Sequence, residues 1–254
     1  MSYNRRKYYA LAAKASKQIG EHPGLLYLQK IAGQSSKVLD VGCGEGSRLV
    51  TLLPPGQFAW GVDIDKYAIN LAKKQYPDQH FQIYSGEKLP YKSNTFDLVY
   101  SAFVLEHVQI PANLLNEMIR VCQPRGSVIL LCPNFGAPNR RSPNSIQNSI
   151  SKLLTGFIND FFSTSIFRWE KVQPKPVYNL PDDDTTIEPY LLSLIRYFQS
   201  KKLTINLASS LWNLEVPSLN PRKIIVKILG QLGIFPFKYW GPQIFVSAIK
   251  TVSD

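Results

Sequence analysis

From Val38 to Pro133 the chain alternates short apolar runs with helix-like stretches, and this alternation restricts the possible folds more than any other feature. The runs are Val38–Val41, Phe58–Asp63, Phe81–Tyr84, Phe96–Tyr100 and Ser127–Cys132. Between them lie Gly46–Leu53, Lys66–Gln75, Leu105–Val108 and Ala112–Cys122. Strands that alternate with helices build parallel sheets joined by right-handed crossovers. A run such as Val128-Ile-Leu-Leu131 is apolar on both faces, as a strand buried between helix layers must be.

The flanking segments complete this picture. Tyr3–Gln18 and His22–Ile31 read as helices separated by Gly20 and Pro23. Residues 136–190 carry clustered Pro, Asn and Ser with scattered aromatics, and read as a loop-rich insertion. Ile187–Ser200 reads as a helix, Leu203–Leu207 as a strand, Arg222–Leu232 as a helix and Ile244–Lys250 as a closing strand. The expectation is an α/β fold: a Rossmann-like, mostly parallel seven-stranded sheet with helices on both faces, and an inserted lid region before the last two strands. Four segments follow: helices at 1–34 that cap the substrate, a core at 35–135, an insertion at 136–190 and a C-terminal completion of the sheet at 191–254.

The core opens with a motif that suits ligand binding. Val38-Leu-Asp-Val-Gly-Cys-Gly-Glu-Gly-Ser47 runs from a strand through Gly42, Gly44 and Gly46 into a helix. Glycines let the chain turn with positive φ and let a ligand approach the backbone. Ser47 stands where a dinucleotide-binding fingerprint needs its last glycine, which counts against a nicotinamide-dependent oxidoreductase. The second strand ends at Asp63, placed to accept hydrogen bonds from ribose hydroxyls, and Asp65 is placed to cap the helix from Lys66.

Together, Val38–Ser47, Gly61-Val-Asp63, Leu89-Pro-Tyr-Lys-Ser-Asn-Thr-Phe-Asp-Leu-Val99, Leu105-Glu-His-Val108 and Gln123-Pro-Arg-Gly-Ser-Val-Ile-Leu130 resemble the class I S-adenosylmethionine-dependent methyltransferases over residues 35–135. The resemblance implies S-adenosylmethionine as cofactor. Asp40 and the backbone of Gly42, Cys43, Gly44 and Gly46 would hold its methionine end. Asp63 would hold the ribose, Ile64 would flank the adenine, and Ser85, Gly86 and Glu87 would lie near the adenine amino group. The family usually places Asp where Ser85 stands. Ser101 would border the methionine and the reacting methyl. In the quinone-biosynthesis branch a further Glu stands three residues before the Glu-His pair and helps bind a metal. Phe103 holds that position here, so no metal is expected.

A methyl on a sulfonium leaves a neutral group behind, so a base is needed only for a weak nucleophile such as a hydroxyl. Of the three histidines, His107 follows the fourth strand and is the candidate base. Asp182-Asp-Asp184 reads either as a solvated loop capping the next helix or as a group that orients hydroxyls or a cation. Phe135, Asn139-Arg-Arg141, Phe157, Phe161-Phe162, Phe167-Arg-Trp169 and Tyr178 read as a lid over a polar acceptor, as a small core of the insertion, or as both.

The acceptor expected is a small molecule or glycan, methylated on oxygen. A net charge of +11 also permits nucleic acid, an anionic membrane or an acidic substrate. It is spread along the chain, with 15 basic and 10 acidic residues in 1–134 and 14 and 8 in 135–254. A nucleic-acid methyltransferase is disfavoured, because the fourth strand lacks an Asn/Asp-Pro-Pro-Tyr/Phe sequence and no RNA-binding module is recognisable. A non-catalytic module of the same fold is the other alternative. The basic amphipathic stretch 221–240 either lies on a membrane surface or packs as a helix against the sheet. No apolar run reaches the roughly 18–20 residues that cross a bilayer. No signal-peptide stretch follows Met1, so a cytoplasmic protein is expected. Cys43, Cys122 and Cys132 suggest neither a disulfide framework nor a zinc site.

Overall fold

The computed structural model describes residues 5–16, 19–162, 169–174 and 184–252. Two helices, α1 (Arg5–Ser16) and α2 (Pro23–Ala32), precede the core. The His22 side chain accepts from the Leu25 N–H and Pro23 opens the first turn of α2, so the helix starts where the sequence places a stop and a start. Then follow β1 (Val38–Val41), α3 (Ser47–Leu52), β2 (Trp60–Asp63), α4 (Lys66–Gln75), β3 (His80–Ile83), β4 (Phe96–Ala102), α5 (Pro111–Val121) and β5 (Cys122–Pro133). Leu105–His107 forms a short 3-10 turn between β4 and α5. The remainder comprises α6 (Ser149–Phe162), β6 (Glu170–Lys171), β7 (Ile187–Glu188), α7 (Leu191–Ser200), β8 (Leu203–Ser209), α8 (Pro221–Gln231) and β9 (Gln243–Lys250).

Seven strands form one sheet in the order β3-β2-β1-β4-β5-β9-β8, and β6 pairs with β7 in a separate antiparallel ribbon. β1 is parallel to β2 and to β4, and β2 is parallel to β3. The α/β sheet expected from the alternation is present. By contact density the chain divides into two compact units, one of residues 1–102, 110–129 and 249–254, the other of residues 103–109 and 130–248.

In the first unit all four β1 residues are buried, as its unbroken apolar run requires. The register sets Asp40 opposite Gly61 on one side and Tyr100 on the other. α5 buries Leu114, Leu115, Met118 and Val121, an apolar stripe at helical spacing. Loops are pinned by charge. The Asp97 carboxylate accepts from the Ser36 and Lys37 N–H groups, and Arg120 donates to the carbonyls of Leu89 and Tyr91 while pairing with Glu117.

The second unit departs from expectation in two places. Residues read as a loop-rich insertion contain the 14-residue helix α6. The helix expected over Ile187–Ser200 is split: Ile187–Glu188 is strand, and the helix begins only at Leu191, after Pro189. Proline disfavours helical backbone in the residue before it, which ends any helix at Glu188. α8 rests Val226 and Gly230 on an aromatic cluster that includes Trp212 and Trp240, while Ile225, Ile228 and Leu232 stay exposed. All three cysteines are buried free thiols.

Candidate active site

The first unit gathers the residues of the glycine motif at the carboxyl end of β1. Gly42, Gly44 and Gly46 take φ values of 85°, 55° and 83°, a backbone region that side chains rarely adopt. At Gly46 a Cβ would also lie 2.6 Å from the Phe81 ring, so this position accepts no side chain on either count. The loop is tied to β2: the N–H groups of Gly42 and Cys43 both donate to the Val62 carbonyl.

Asp63 closes the ring of contacts. One carboxylate oxygen accepts from the Gly44 N–H at 2.9 Å and the other from the Asp65 N–H at 2.8 Å. Burial raises its pKa above the ordinary value, and those backbone donors pull it back. Asp65 caps α4 by accepting from the Tyr67 N–H, as its position in the sequence suggests. It also accepts from the Tyr9 hydroxyl at 3.0 Å, which brings α1 over the glycine loop. A Cβ on Gly44 would sit 3.6 Å from the Tyr9 ring. Ile64 is 67% exposed, and Gly86 lies beside its side chain. Ser85, Gly86 and Glu87 are exposed, with the Glu87 N–H donating to the Ser85 hydroxyl.

Asp40 is the unusual group. It is 1% exposed, and neither carboxylate oxygen has a hydrogen bond of normal geometry among the described residues. Burial pushes its pKa up to about 7, while the nearby Arg48 charge and the adjacent Tyr100 hydroxyl act in the opposite direction. Buried polar atoms are nearly always paired, so a buried carboxylate with so weak a set of partners is unusual for a purely structural acid. Ser101, at the end of β4, is buried and donates its hydroxyl to the Val41 carbonyl at 2.7 Å, which ties β4 to β1. Arg48, Tyr100 and Tyr9 were not legible as site residues. Each is brought beside the glycine loop or Asp40 only by the sheet register or the folding back of α1.

The second unit holds His107. Its Nδ1 lies 3.2 Å from an Asp184 carboxylate oxygen and its Nε2 lies 3.8 Å from Glu106. The imidazole side chain keeps 26% exposure, whereas Glu106 is buried. The pairing is built by backbone: the Thr186 N–H and hydroxyl both donate to the Glu106 carbonyl, stitching the segment after Asp184 to the 3-10 turn. Asp184 therefore does not cap the next helix, whose N-terminal residue Tyr190 makes no side-chain cap. Asp182, Asp183, Phe167, Arg168 and Tyr178 lie outside the described residues. Of the proposed lid residues, Phe157 and Phe161 stack on each other and on rings of the second unit, Phe237, Trp240 and Phe235. Arg140 pairs with Glu215 and lies over Trp212.

Residues 39–130 match the family model described as a methyltransferase domain. Over these residues the core is similar to a methyltransferase domain. An uncharacterized methyltransferase of Schizosaccharomyces pombe is 33% identical over 40% of this chain and 41% of its own length. Norajmaline N-methyltransferase of Rauvolfia serpentina is 35% identical over 37% of this chain and 35% of its own. The chain thus spans well under half the length of these relatives. Among solved structures, an S-adenosylmethionine-dependent methyltransferase of Mesorhizobium loti superposes with a TM-score of 0.55 at 14% identity, covering 91% of this chain and 97% of that one. At that identity the likeness shows the fold alone. S-adenosylmethionine is the cofactor of this domain class, and the positive-φ glycine cradle with the buried Asp40 beside it fits it.

Proposed function

We propose that the protein is an S-adenosylmethionine-dependent methyltransferase that methylates a hydroxyl of a small molecule or glycan. The observation that carries this reading is the set of acids around the glycine loop: Asp63 anchored to Gly44, and Asp40 buried beside Tyr100 with no hydrogen bond of normal geometry. When bound, the cofactor supplies an activated methyl for in-line displacement. Asp40 and the backbone of Gly42, Cys43, Gly44 and Gly46 would hold its ammonium and carboxylate end. The Asp63 oxygens accept from the Gly44 and Asp65 N–H groups and would keep lone pairs for the ribose hydroxyls. Ile64, beside Gly86, would cover one face of the adenine, and Ser85 and Glu87 offer polar groups to its edge. Tyr9 would close the loop from above and exclude water.

In this reading His107 takes the proton from the acceptor hydroxyl. Asp184, 3.2 Å from Nδ1, would hold the proton there, so that Nε2 would carry the lone pair a base requires. Oxygen is the favoured atom because a positioned carboxylate-histidine pair serves a weak nucleophile, whereas an amine in its free-base form needs no such help.

The test is calorimetric titration with S-adenosylmethionine and S-adenosylhomocysteine. Both should bind, and Asp63→Ala should weaken binding about a hundredfold, the cost of losing charge-assisted hydrogen bonds. Well-folded protein that binds neither would overturn the reading.

A further inference from the structure

Helix α6 is inside out. Its buried residues are Lys152 and Asp160, with Gly156 between them lying against Pro138. The inward charges are fully employed: Lys152 pairs with buried Glu188 and donates to the Phe135 carbonyl, and Asp160 accepts from the Tyr190 hydroxyl and the Trp240 indole N–H. The outward face carries Ile150, Leu153, Leu154, Phe157, Ile158, Phe161 and Phe162, each 39% exposed or more. Those positions repeat at helical spacing, so the stripe is continuous.

A second exposed apolar strip adjoins it. Phe161 packs edge-on against Phe235 at 5.0 Å between centroids, which joins α6 to the turn after α8. On α8 and that turn, Ile225, Ile228, Leu232 and Ile234 are exposed as well. A soluble monomer seldom exposes so many contiguous large apolar side chains without a surface to meet. The charge around them has one sign. Exposed Arg222, Lys223 and Lys238 border the strip, and α8 carries no acid. Between residues 135 and 169 the sole acid is the buried Asp160, and from Pro189 to Ser253 it is Glu215, paired with Arg140.

We propose that this face of the second unit docks on an anionic lipid bilayer, with α6 and the α8 turn lying in the interface. Apolar side chains enter the boundary between headgroups and acyl chains, and the bordering cations meet lipid phosphates, which is how amphipathic basic helices bind membranes. Fourteen residues of helix reach about 21 Å, too short to cross the hydrocarbon core, so the helix lies flat. Among the described residues no helix is long and apolar enough to span. The proposal stands apart from the methyltransferase reading, since it uses none of the cofactor residues.

The test is flotation of the full chain with vesicles of phosphatidylcholine alone or mixed with phosphatidylglycerol. The protein should float with the mixed vesicles, and added salt should weaken binding. The triple variant Leu154→Glu, Ile158→Glu, Phe162→Glu changes exposed positions only. It should keep its circular dichroism and its S-adenosylhomocysteine affinity, yet lose at least about tenfold in vesicle binding. Arg222→Gln with Lys223→Gln should weaken binding to the mixed vesicles by about fivefold per cation. Two results would overturn the proposal. One is folded wild-type protein that stays off both vesicles. The other is a dimer that the triple variant dissociates while no vesicle binding is seen, which would make this face a contact between copies.

Discussion

Asp40 at the end of β1 and Glu188 in β7 are both buried to 1% exposure or less, yet the chain treats them in opposite ways. Glu188 is fully served: one oxygen accepts from the Ser142 N–H and hydroxyl, and the other pairs with Lys152. Asp40 has only the adjacent Tyr100 hydroxyl and the nearby Arg48 charge, and no hydrogen bond of normal geometry on either oxygen. A buried charge costs several kcal/mol unless it is paired, so the two acids call for different explanations. Glu188 belongs to the scaffold, where it holds α6 by a charge. In the proposed function Asp40 belongs to the site, where a bound cofactor would complete its pairing.

The largest expected effect tests the scaffold side of this contrast. Lys152→Met should lower stability by about 3–5 kcal/mol, because it leaves Glu188 buried without its cation. Urea unfolding of the full chain measures it. A neutral result would mean that the Lys152–Glu188 pair does not anchor α6, and the contrast with Asp40 would fail.

Asp40→Asn should act in the other direction, with a sign that depends on pH. The folded pKa is raised from 3.8 to about 7, so between those values the folded chain holds a proton that the unfolded chain has released. Stability from this group is complete below about pH 4 and is lost as pH rises through about 7. The asparagine carries no such dependence. The variant should therefore be more stable than wild type at pH 8, on the order of a few kcal/mol, and lose that advantage at pH 4. It should also bind S-adenosylhomocysteine more weakly. Thermal melts at the two pH values sharpen the comparison: a variant destabilised at both would place Asp40 with Glu188 in the scaffold.

How far these roles could be read in advance depends on how local they are. Val38–Ser47, Asp63 and the five core strands were legible because each is written within a few adjacent residues. The inward charges of α6 were not. A helical period shows that a helix has two faces, and burial of Lys152 and Asp160 is decided by Glu188, Tyr190 and Trp240, all distant in sequence. The same holds for Asp184, an acid of a polar run until Thr186 binds the Glu106 carbonyl and brings it to His107.

That pair gives a smaller effect. Only three histidines are present, so long-range proton–nitrogen NMR spectra can resolve the tautomer of each. Neutral His107 should carry its proton on Nδ1 in the wild type, and Asp184→Ala should return it to the Nε2–H form favoured by free imidazole. Methyl transfer to a hydroxyl acceptor should then fall about tenfold in kcat with little change in KM, as expected for a residue that positions a base. An unchanged tautomer would make Asp184 part of the scaffold, a weak relative of Glu188.

The smallest effect is expected two residues from the largest. Leu154 on α6 is 60% exposed, and Leu154→Ala should change stability by no more than about 0.5 kcal/mol. The corresponding change in α5, Leu115→Ala at a fully buried position, should cost about 2–5 kcal/mol. Within α6 the usual order is thus inverted: a lysine anchors the helix and a leucine two positions on is dispensable for folding. If Leu154→Ala instead cost as much as Leu115→Ala, the outer face of α6 would be covered in solution by protein. The lipid-docking surface would then be withdrawn, while the distinction between Glu188 and Asp40 would stand unchanged.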